Sequence, residues 1–310
     1  AAGHGMQVFD LSQLRGLDSK QNFTADYTYS GYGQAHNIAI NTETGYAYTA
    51  GAGVAGNGRP GFGIHALNIA DPTSPVLELQ LPDHGYTHDA QIVNYKGPDS
   101  DHFGKEIYIG SNETKVVFVD VTDKNNPELI SQFYYDDEYT HQSWLTEDHR
   151  YALLGDELDE LDQSVRPWVL KENVETRTIV IDISDLDNPI LHFNYLSDTE
   201  AIDHNGYVVG SKFYLASYTS GMRVIDIINI EQKSFTEVGF FDTHIDDDHH
   251  HNNVDESSPP YGDPGDHTGK KGQEIEAFNG AWSVYPYFNS ENIIISDINS
   301  GLFIVKKKAN

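Results

Sequence analysis

Short apolar or alternating runs recur along the whole chain, and no stretch shows a helical period of useful length. One recurring run opens with a histidine and a following amide or acid, then continues with small or β-branched residues. Copies of this run begin at His36, His88, His141 and His204. A fifth copy, at 278–284, keeps the apolar pattern without the histidine. Each copy is predicted to form a short strand, which we label strand a.

Further predicted strands follow strand a in a constant order. Strand b is apolar, strand c is β-branched with an acid or amide near its end, and strand d follows a turn. In three copies that turn has an aspartate four residues before a proline, at 71–75, 123–127 and 185–189. We interpret this turn as structural, because an aspartate commonly caps its own turn. Four strands repeating every ~40 to 80 residues are typical of a β-propeller blade, so the predicted class is all-β.

The two ends of the chain are out of step with this repeat. The chain begins with a c strand at 6–10 and a d strand within 22–29, and it finishes with strands a, b and c over 282–305. Propellers close by pairing strands from the two termini, so we expect a complete ring to need residues before Ala1. The expected organisation is one domain, 1–310, N-terminally incomplete, with irregular loops at about 156–177 and 242–277.

Composition limits the partners and the chemistry. The formal net charge of −29 disfavours nucleic acid and anionic membrane surfaces, which would repel the chain. With no cysteine, thiol catalysis, thiolate metal sites and disulfides are excluded. No apolar run approaches the roughly 20 residues of a membrane span. No Gly-x-Ser-x-Gly elbow supports a serine nucleophile, and nothing indicates an organic cofactor.

The repeated histidines are the strongest candidates for a functional site. In a propeller the loops before strand a and after strand b emerge on one face, so imidazoles and carboxylates would converge there and could hold zinc, copper or calcium. Alternatively, the histidines bond only to neighbouring backbone or water, and the acidic run after Gly155 is solvated. The predicted metal ligands are His36, His88, His141, His204, Asp89, Asp156 and Glu157, and the predicted ligand-binding residues are Glu113, Asp203 and Tyr218.

Several longer motifs resemble one protein family along essentially the whole chain. They are Tyr86-Thr87-His88-Asp89, Tyr139-Thr140-His141-Gln142-Ser143-Trp144, Gly155-Asp156-Glu157-Leu158-Asp159-Glu160, Asp203-His204-Asn205 and Gly280-Ala281-Trp282-Ser283. Together they are similar to the choice-of-anchor B family, secreted or surface proteins with LVIVD repeats. The resemblance implies a seven-bladed propeller when complete and a location outside the cell or on the bacterial surface. It implies no mechanism.

Two functions remain open at this stage. The first is a binding or scaffold module that recognises a protein or glycan at the cell surface. The alternative is a metal-dependent enzyme, a hydrolase or oxidase, with Glu157 or Asp89 as the proton acceptor. The two hypotheses differ in whether a transition metal is bound and used.

Overall fold

A computed structural model describes residues 4–33, 35–53, 63–81, 84–161, 170–171, 174–244 and 276–308. The histidine tract 249–251 and most of the loop expected at 242–277 lie outside these residues, as does the middle of the loop expected at 156–177. Three short 3-10 helices, Leu11–Leu14, Ile230–Gln232 and Glu276–Phe278, are the helical segments among the described residues. None of them is long and apolar enough to cross a membrane.

The strands form antiparallel sheets in chain order, as the repeat predicts. The first sheet pairs β1 (Met6–Val8) with β2 (Tyr27–Tyr29). Four four-stranded sheets follow. The second sheet contains β3 (Asn37–Asn41), β4 (Tyr46–Ala50), β5 (Ile64–Asn68) and β6 (Val76–Leu81), and the third contains β7 (Asp89–Asn94), β8 (Glu106–Ser111), β9 (Val116–Asp120) and β10 (Glu128–Phe133). The fourth contains β11 (Thr140–Leu145), β12 (Tyr151–Asp156), β13 (Arg177–Asp182) and β14 (Ile190–Leu196), and the fifth contains β15 (Gly206–Val209), β16 (Lys212–Ala216), β17 (Met222–Asn229) and β18 (Ser234–Phe241). The last sheet has three strands, β19 (Ala281–Tyr285), β20 (Asn292–Asp297) and β21 (Gly301–Lys306).

The five sheets of three or four strands are the blades of an all-β propeller, which confirms the predicted fold class. Five blades are present in the described chain, and the predicted number of seven is not confirmed. As expected, the first sheet contains only the c and d strands, and the last contains a, b and c. The outer edge of β21 faces no further strand among the described residues, and Leu302 and Ile304 on it are largely exposed.

Burial follows strand position within each blade. Every residue of β8 and β12, both b strands, is buried, whereas d strands such as β14 and β18 are mostly exposed or half-buried. The predicted Asp-Pro turns also form as expected. Each first aspartate accepts a backbone N–H two residues on through its Oδ1, with donor–acceptor distances between 2.9 and 3.0 Å: Thr73 to Asp71, Asn125 to Asp123, and Asp187 to Asp185.

The chain divides into two compact units. One comprises Ala1–Leu154 with Ile179–His192, and the other comprises Gly155–Thr178 with Phe193–Asn310, so the β11–β14 sheet contributes residues to both. The first unit contains an apolar core that includes Tyr95, Phe118 and Leu154. The second contains an apolar cluster of Leu161, Ile202, Tyr218 and Ala277.

A buried ion pair joins two sheets of the first unit. Oε2 of Glu106, on β8, lies 2.8 Å from Nζ of Lys124. Oε1 of the same carboxylate accepts hydrogen bonds from Asn41, Thr44 and Tyr48 of the preceding sheet, at 2.9, 2.7 and 2.9 Å. Both carboxylate oxygens are therefore satisfied, and the pair ties the β3–β6 sheet to the β7–β10 sheet.

Candidate functional site

The repeated histidines occupy equivalent positions just before or at the start of the a strands. In three copies the histidine amide continues the ladder to the end of strand b, and so the backbone fixes where each ring begins. The donor–acceptor pairs are His36 to Ala50, His88 to Ser111 and His204 to Ala216, each at 2.9 Å. Sequence repetition therefore corresponds to structural repetition at these positions.

Three of the four histidines form a row in the first unit. The ring centroids of His36 and His88 are 3.8 Å apart, and those of His88 and His141 are 4.4 Å apart. Nδ1 of His36 lies 2.9 Å from the carbonyl oxygen of His88, and Nδ1 of His88 lies 3.4 Å from that of His141. A carbonyl can only accept, so each of these Nδ1 atoms carries the proton. The neutral rings then present Nε2 as a lone pair, which suits a base or a metal ligand.

Asp89 is engaged by amides beside this row. Its Oδ2 accepts from Asn37 at 2.7 Å and from Gln142 at 3.3 Å, and its Oδ1 accepts the N–H of Ala90 at 2.6 Å. The carboxylate thus links three consecutive a strands, whose polar residues after the histidine supply the donors. This arrangement is typical of a residue that positions its neighbours.

Glu113 lies in the same unit, on the turn between β8 and β9. The hydroxyl of Tyr139 donates to its Oε1 at 3.4 Å, and the Tyr139 ring packs edge-on to His88 at 5.1 Å. The backbone of Glu113 is left-handed, with φ 52°, and it pairs with Thr140 in an isolated bridge. Glu113 therefore reaches the histidine row through Tyr139.

The second unit holds a compact group of Glu157, His204 and Tyr218. The Tyr218 hydroxyl donates to Oε1 of Glu157 at 2.8 Å, and Nε2 of His204 lies 3.7 Å from the same oxygen. Burial raises the pKa of Glu157 to about 7, and the charge of Asp156 adds to the shift, while the Tyr218 hydrogen bond opposes it. The pKa of Tyr218 is raised, first by burial and then by the Glu157 charge, so the phenol stays a donor.

The orientation of His204 in this group is set by its other nitrogen. Nδ1 lies 2.6 Å from the carbonyl oxygen of Trp282, and so it is the protonated nitrogen of the neutral ring. The ring is held edge-on between Tyr218 and Trp282, with centroids 5.2 and 5.4 Å away. Nε2 is therefore directed toward Glu157 as an acceptor in the neutral ring and as a donor once protonated.

Further buried acids surround Glu157. Nε of Arg177 lies 2.6 Å from Oδ2 of Asp159, and its Nη2 lies 4.0 Å from Oδ2 of Asp156. Glu160 and Asp203 are fully or almost fully buried. Burial raises the pKa of Glu160 to about 11 and that of Asp203 well above its usual value, and neighbouring acids reinforce both shifts. Glu160 is therefore protonated at neutral pH, which limits the negative charge around Glu157.

The predicted residues are shared between the two compact units. His36, His88, His141, Asp89 and Glu113 belong to the first unit, and Asp156, Glu157, Asp203, His204 and Tyr218 belong to the second. The prediction that some of the four histidines hold a metal ion stays a prediction. Sequence reasoning missed Glu160 and Arg177. The signal for Glu160 was the acidic run in which it lies, and the signal for Arg177 was a basic residue at the start of a c strand.

Comparison with known proteins supports the fold. No family model matches the chain, and a sequence search finds no matching curated protein. A crystal structure of a protein from Lactobacillus plantarum is similar, with a TM-score of 0.56 and 12% identity over 91% of this chain and 69% of that one. The periplasmic gluconolactonase PpgL of Pseudomonas aeruginosa aligns with a TM-score of 0.53 and 9% identity, over 87% of this chain and 65% of that one. A candidate 6-phosphogluconolactonase from Bacteroides fragilis gives 0.50 and 12%, over 90% and 71%.

These similarities correct the functional prediction. The expected binding or scaffold module is contradicted, because two of these similar propellers carry the names of lactone-hydrolysing enzymes. The alternative prediction, an enzyme, is better supported. At 9 to 12% identity the comparisons establish the propeller fold and leave the chemistry to be argued from this chain's own residues.

Proposed function

We propose that the protein is a hydrolase that opens a lactone, with Glu157 as the general base. The observation that carries the proposal is the state of this carboxyl group. It is largely buried, its pKa lies at about 7, and it is held by Tyr218 within 3.7 Å of an imidazole nitrogen. A base with a pKa near the working pH is the most effective proton acceptor. Such a shifted acid beside a histidine is a common feature of catalytic sites.

The proposed reaction assigns one role to each of three side chains. Glu157 accepts a proton from water as the water oxygen bonds to the lactone carbonyl carbon. The ring carbon–oxygen bond then breaks, and protonated His204 gives its Nε2 proton to the departing oxygen. The proton on Glu157 returns to His204, and the product is an open hydroxy acid. Tyr218 keeps the carboxylate oriented, since its hydroxyl is already committed to Oε1.

The charge around Glu157 favours a neutral substrate. Asp156 and Asp159 lie nearby, and the guanidinium of Arg177 is already occupied by Asp159 at 2.6 Å. A phosphorylated lactone would meet repulsion and no free arginine in the described part of this unit. We therefore propose an unphosphorylated sugar lactone as the substrate.

The test compares Glu157→Gln with wild-type protein on glucono-δ-lactone, followed by base uptake at constant pH. Glu237→Gln is the matched control. Glu237 lies in the same unit, and its Oε1 pairs with Nη1 of Arg223 at a distance of 3.4 Å. We expect Glu157→Gln to lower kcat/KM by about 10²- to 10⁴-fold, the usual contribution of a general base. The control should keep wild-type activity. Equal activity of Glu157→Gln and wild type, or wild-type hydrolysis no faster than buffer on a panel of neutral lactones, would overturn the proposal.

We also propose a divalent transition metal at the histidine row of the first unit. The observation in favour is the repeated Nδ1–carbonyl bond, which leaves Nε2 of His36 and His88 as lone pairs. Elemental analysis of tag-free protein should then find a bound metal, and His88→Ala/His141→Ala should lose one ion per chain. His192→Ala serves as the control, because the His192 ring is tilted against Tyr151 with centroids 4.9 Å apart. Identical metal content in all three proteins would exclude this site.

Two further proposals concern the protein's setting. The motif resemblance supports membership of the choice-of-anchor B family, and with it a secreted or bacterial cell-surface location. A protein or glycan partner there stays a prediction. Fractionation of the native organism, with detection by antibody, tests the location directly.

A further inference from the structure

Three side chains of the first unit come together away from the histidine row. One ligand atom from each of Asp99, His102 and Asp187 lies within 4.8 Å of the other two. Nε2 of His102 is 3.0 Å from Oδ2 of Asp187. The His102 side chain is 10% exposed and that of Asp187 is 57% exposed, so the group is reached from solvent on the aspartate side.

Two rigid loops bring these residues together. The segment 95–105 closes on itself, since Gly104 donates to the carbonyl of Tyr95 at 2.8 Å, and Oδ1 of Asp99 accepts from Asp101 at 3.0 Å. The other loop is the third Asp-Pro turn, held by Asp185. Oδ2 of Asp99 accepts the N–H of Leu186 at 2.9 Å, which fixes the turn against the first loop.

The contact with Asp187 accounts for only one nitrogen of the His102 ring. Nδ1 of His102 is buried and has no hydrogen-bond partner in the described chain. A buried polar atom without a partner calls for an explanation, and a site that binds a ligand is one such explanation.

We propose that Asp99, His102 and Asp187 bind a zinc ion. One imidazole and two carboxylates are donors that zinc accepts, and their two negative charges balance the ion. Tetrahedral zinc with ligand bonds of about 2.0 Å separates its ligands by roughly 3.3 Å, so the 3.0 Å contact must open by a few tenths of an ångström. Water on the exposed side completes the coordination.

The position of this zinc site indicates a structural role. His88 precedes β7, and the 95–105 segment follows the other end of that six-residue strand. At ~3.3 Å per residue the strand spans roughly 17 Å, too far for a metal there to act on chemistry at the histidine row. The ion instead links two loops that are distant in sequence. Asp99 and Leu186, which are hydrogen-bonded across these loops, are separated by 87 residues. The other two Asp-Pro turns have Thr73 and Asn125 where this one has Asp187.

The experiment measures zinc stoichiometry and the zinc-dependent shift in Tm for the full chain. Asp187→Asn is the main variant, because Asp187 is exposed and the substitution keeps its shape. Asp123→Asn, in the equivalent turn without a histidine, is the matched control. We expect wild type and control to bind one more zinc per chain than Asp187→Asn. At a hundredfold excess of free zinc over Kd, their Tm should rise by about 3 °C more than that of the variant.

A second variant and anomalous diffraction distinguish zinc bound at this site from metal bound at the histidine row. His102→Gln should lose the same single ion, and His88→Ala/His141→Ala should keep it. Anomalous diffraction at the zinc edge should show a peak between Asp99, His102 and Asp187. Equal zinc binding by wild type and Asp187→Asn, or a lower metal-free Tm of the variant with no change in the zinc-dependent shift, would overturn the proposal.

Discussion

At the scale of single residues, the Tyr218–Glu157 hydrogen bond limits the rise in pKa that burial imposes on Glu157. The bond stabilises the carboxylate form and lowers the pKa of Glu157, against the larger effect of burial. Without the donor, the pKa should move above about 7. The base would then be protonated over a wider pH range.

Tyr218→Phe should therefore shift the pH–rate profile. Because Glu157 must be deprotonated to act, the rising limb of kcat/KM should move to higher pH, while the rate at the plateau falls less than in Glu157→Gln. Lactone hydrolysis measured from pH 5 to 9 provides the check. Tyr214→Phe, a neighbouring tyrosine outside the site, is the control. A limb that stays at the wild-type pH would show that Tyr218 does not influence the base.

The same scale shows where sequence reasoning succeeds and where it stops. The positions of His36, His88 and His204 follow from repetition, because equivalent residues of a repeat take equivalent places on strand a. The Nδ1 bonds to carbonyls of the next sheet do not follow from it, since they depend on how adjacent blades pack. The pairing of Glu157 with Tyr218, 61 residues apart, depends in the same way on loop geometry.

At the scale of elements, the buried Glu106–Lys124 pair determines how two sheets are joined. Lys124 also donates to the carbonyl of Val121 at 2.6 Å and lies over the Tyr46 ring at 4.2 Å. Removing one partner of such a pair leaves the other charge buried and uncompensated.

We expect Glu106→Gln to lower the free energy of unfolding by about 3 to 5 kcal/mol, measured by urea denaturation. Glu106→Gln/Lys124→Met should recover most of this loss, because no unpaired charge remains. Lys96→Met, which breaks an exposed pair with Glu43, should cost at most about 1 kcal/mol. A double variant as unstable as the single one would locate the loss in the hydrogen bonds to Asn41, Thr44 and Tyr48.

Strand prediction was accurate where turn chemistry marks the boundaries. The d strands after the three Asp-Pro turns were located, whereas β18 was not. Its turn is made by the 3-10 segment Ile230–Gln232 and by Lys233 in a left-handed conformation, φ 58°. A lysine at that position gives no sequence signal, since glycine or asparagine is the residue expected there.

At the scale of the whole molecule, two sets of carboxyls oppose each other in their pH dependence. Hydrogen bonds lower the pKa of exposed acids such as Asp71 and Asp226, so their contribution is present above the unfolded pKa and is lost in acid. Burial raises the pKa of Glu157 to about 7 and that of Glu160 to about 11. The folded chain therefore binds more protons than the unfolded chain between about pH 4.5 and 7.

Stability should consequently fall as the pH rises from 5.5 to 8, and the net charge of −29 acts in the same direction. We expect a lower Tm at pH 8 than at pH 5.5 by calorimetry. Asp203→Asn should reduce the difference, because it removes a buried acid with a raised pKa. Asp226→Asn, an exposed acid with a lowered pKa, is the control. A Tm that rises steadily over this interval would contradict the electrostatic account of the acidic group.

The fold class followed from the repeat, but the proposed activity did not. A blade repeat defines strands and their order, whereas catalysis depends on which loops approach each other and how deeply their acids are buried. The acidic run around Glu157 was recognised as a possible site. Its burial, which is the source of its chemistry, could not be deduced from composition.

The exposed outer side of β21 has a consequence for handling the protein at high concentration. Among the described residues this edge pairs with no further strand, and Leu302 and Ile304 are exposed, so an extended segment of another molecule would find a template there. Lys306 ends the strand and Lys307 and Lys308 follow it, so a second copy that docked there would bring like charges together. We expect these three cations to oppose such docking in a chain that is otherwise strongly acidic.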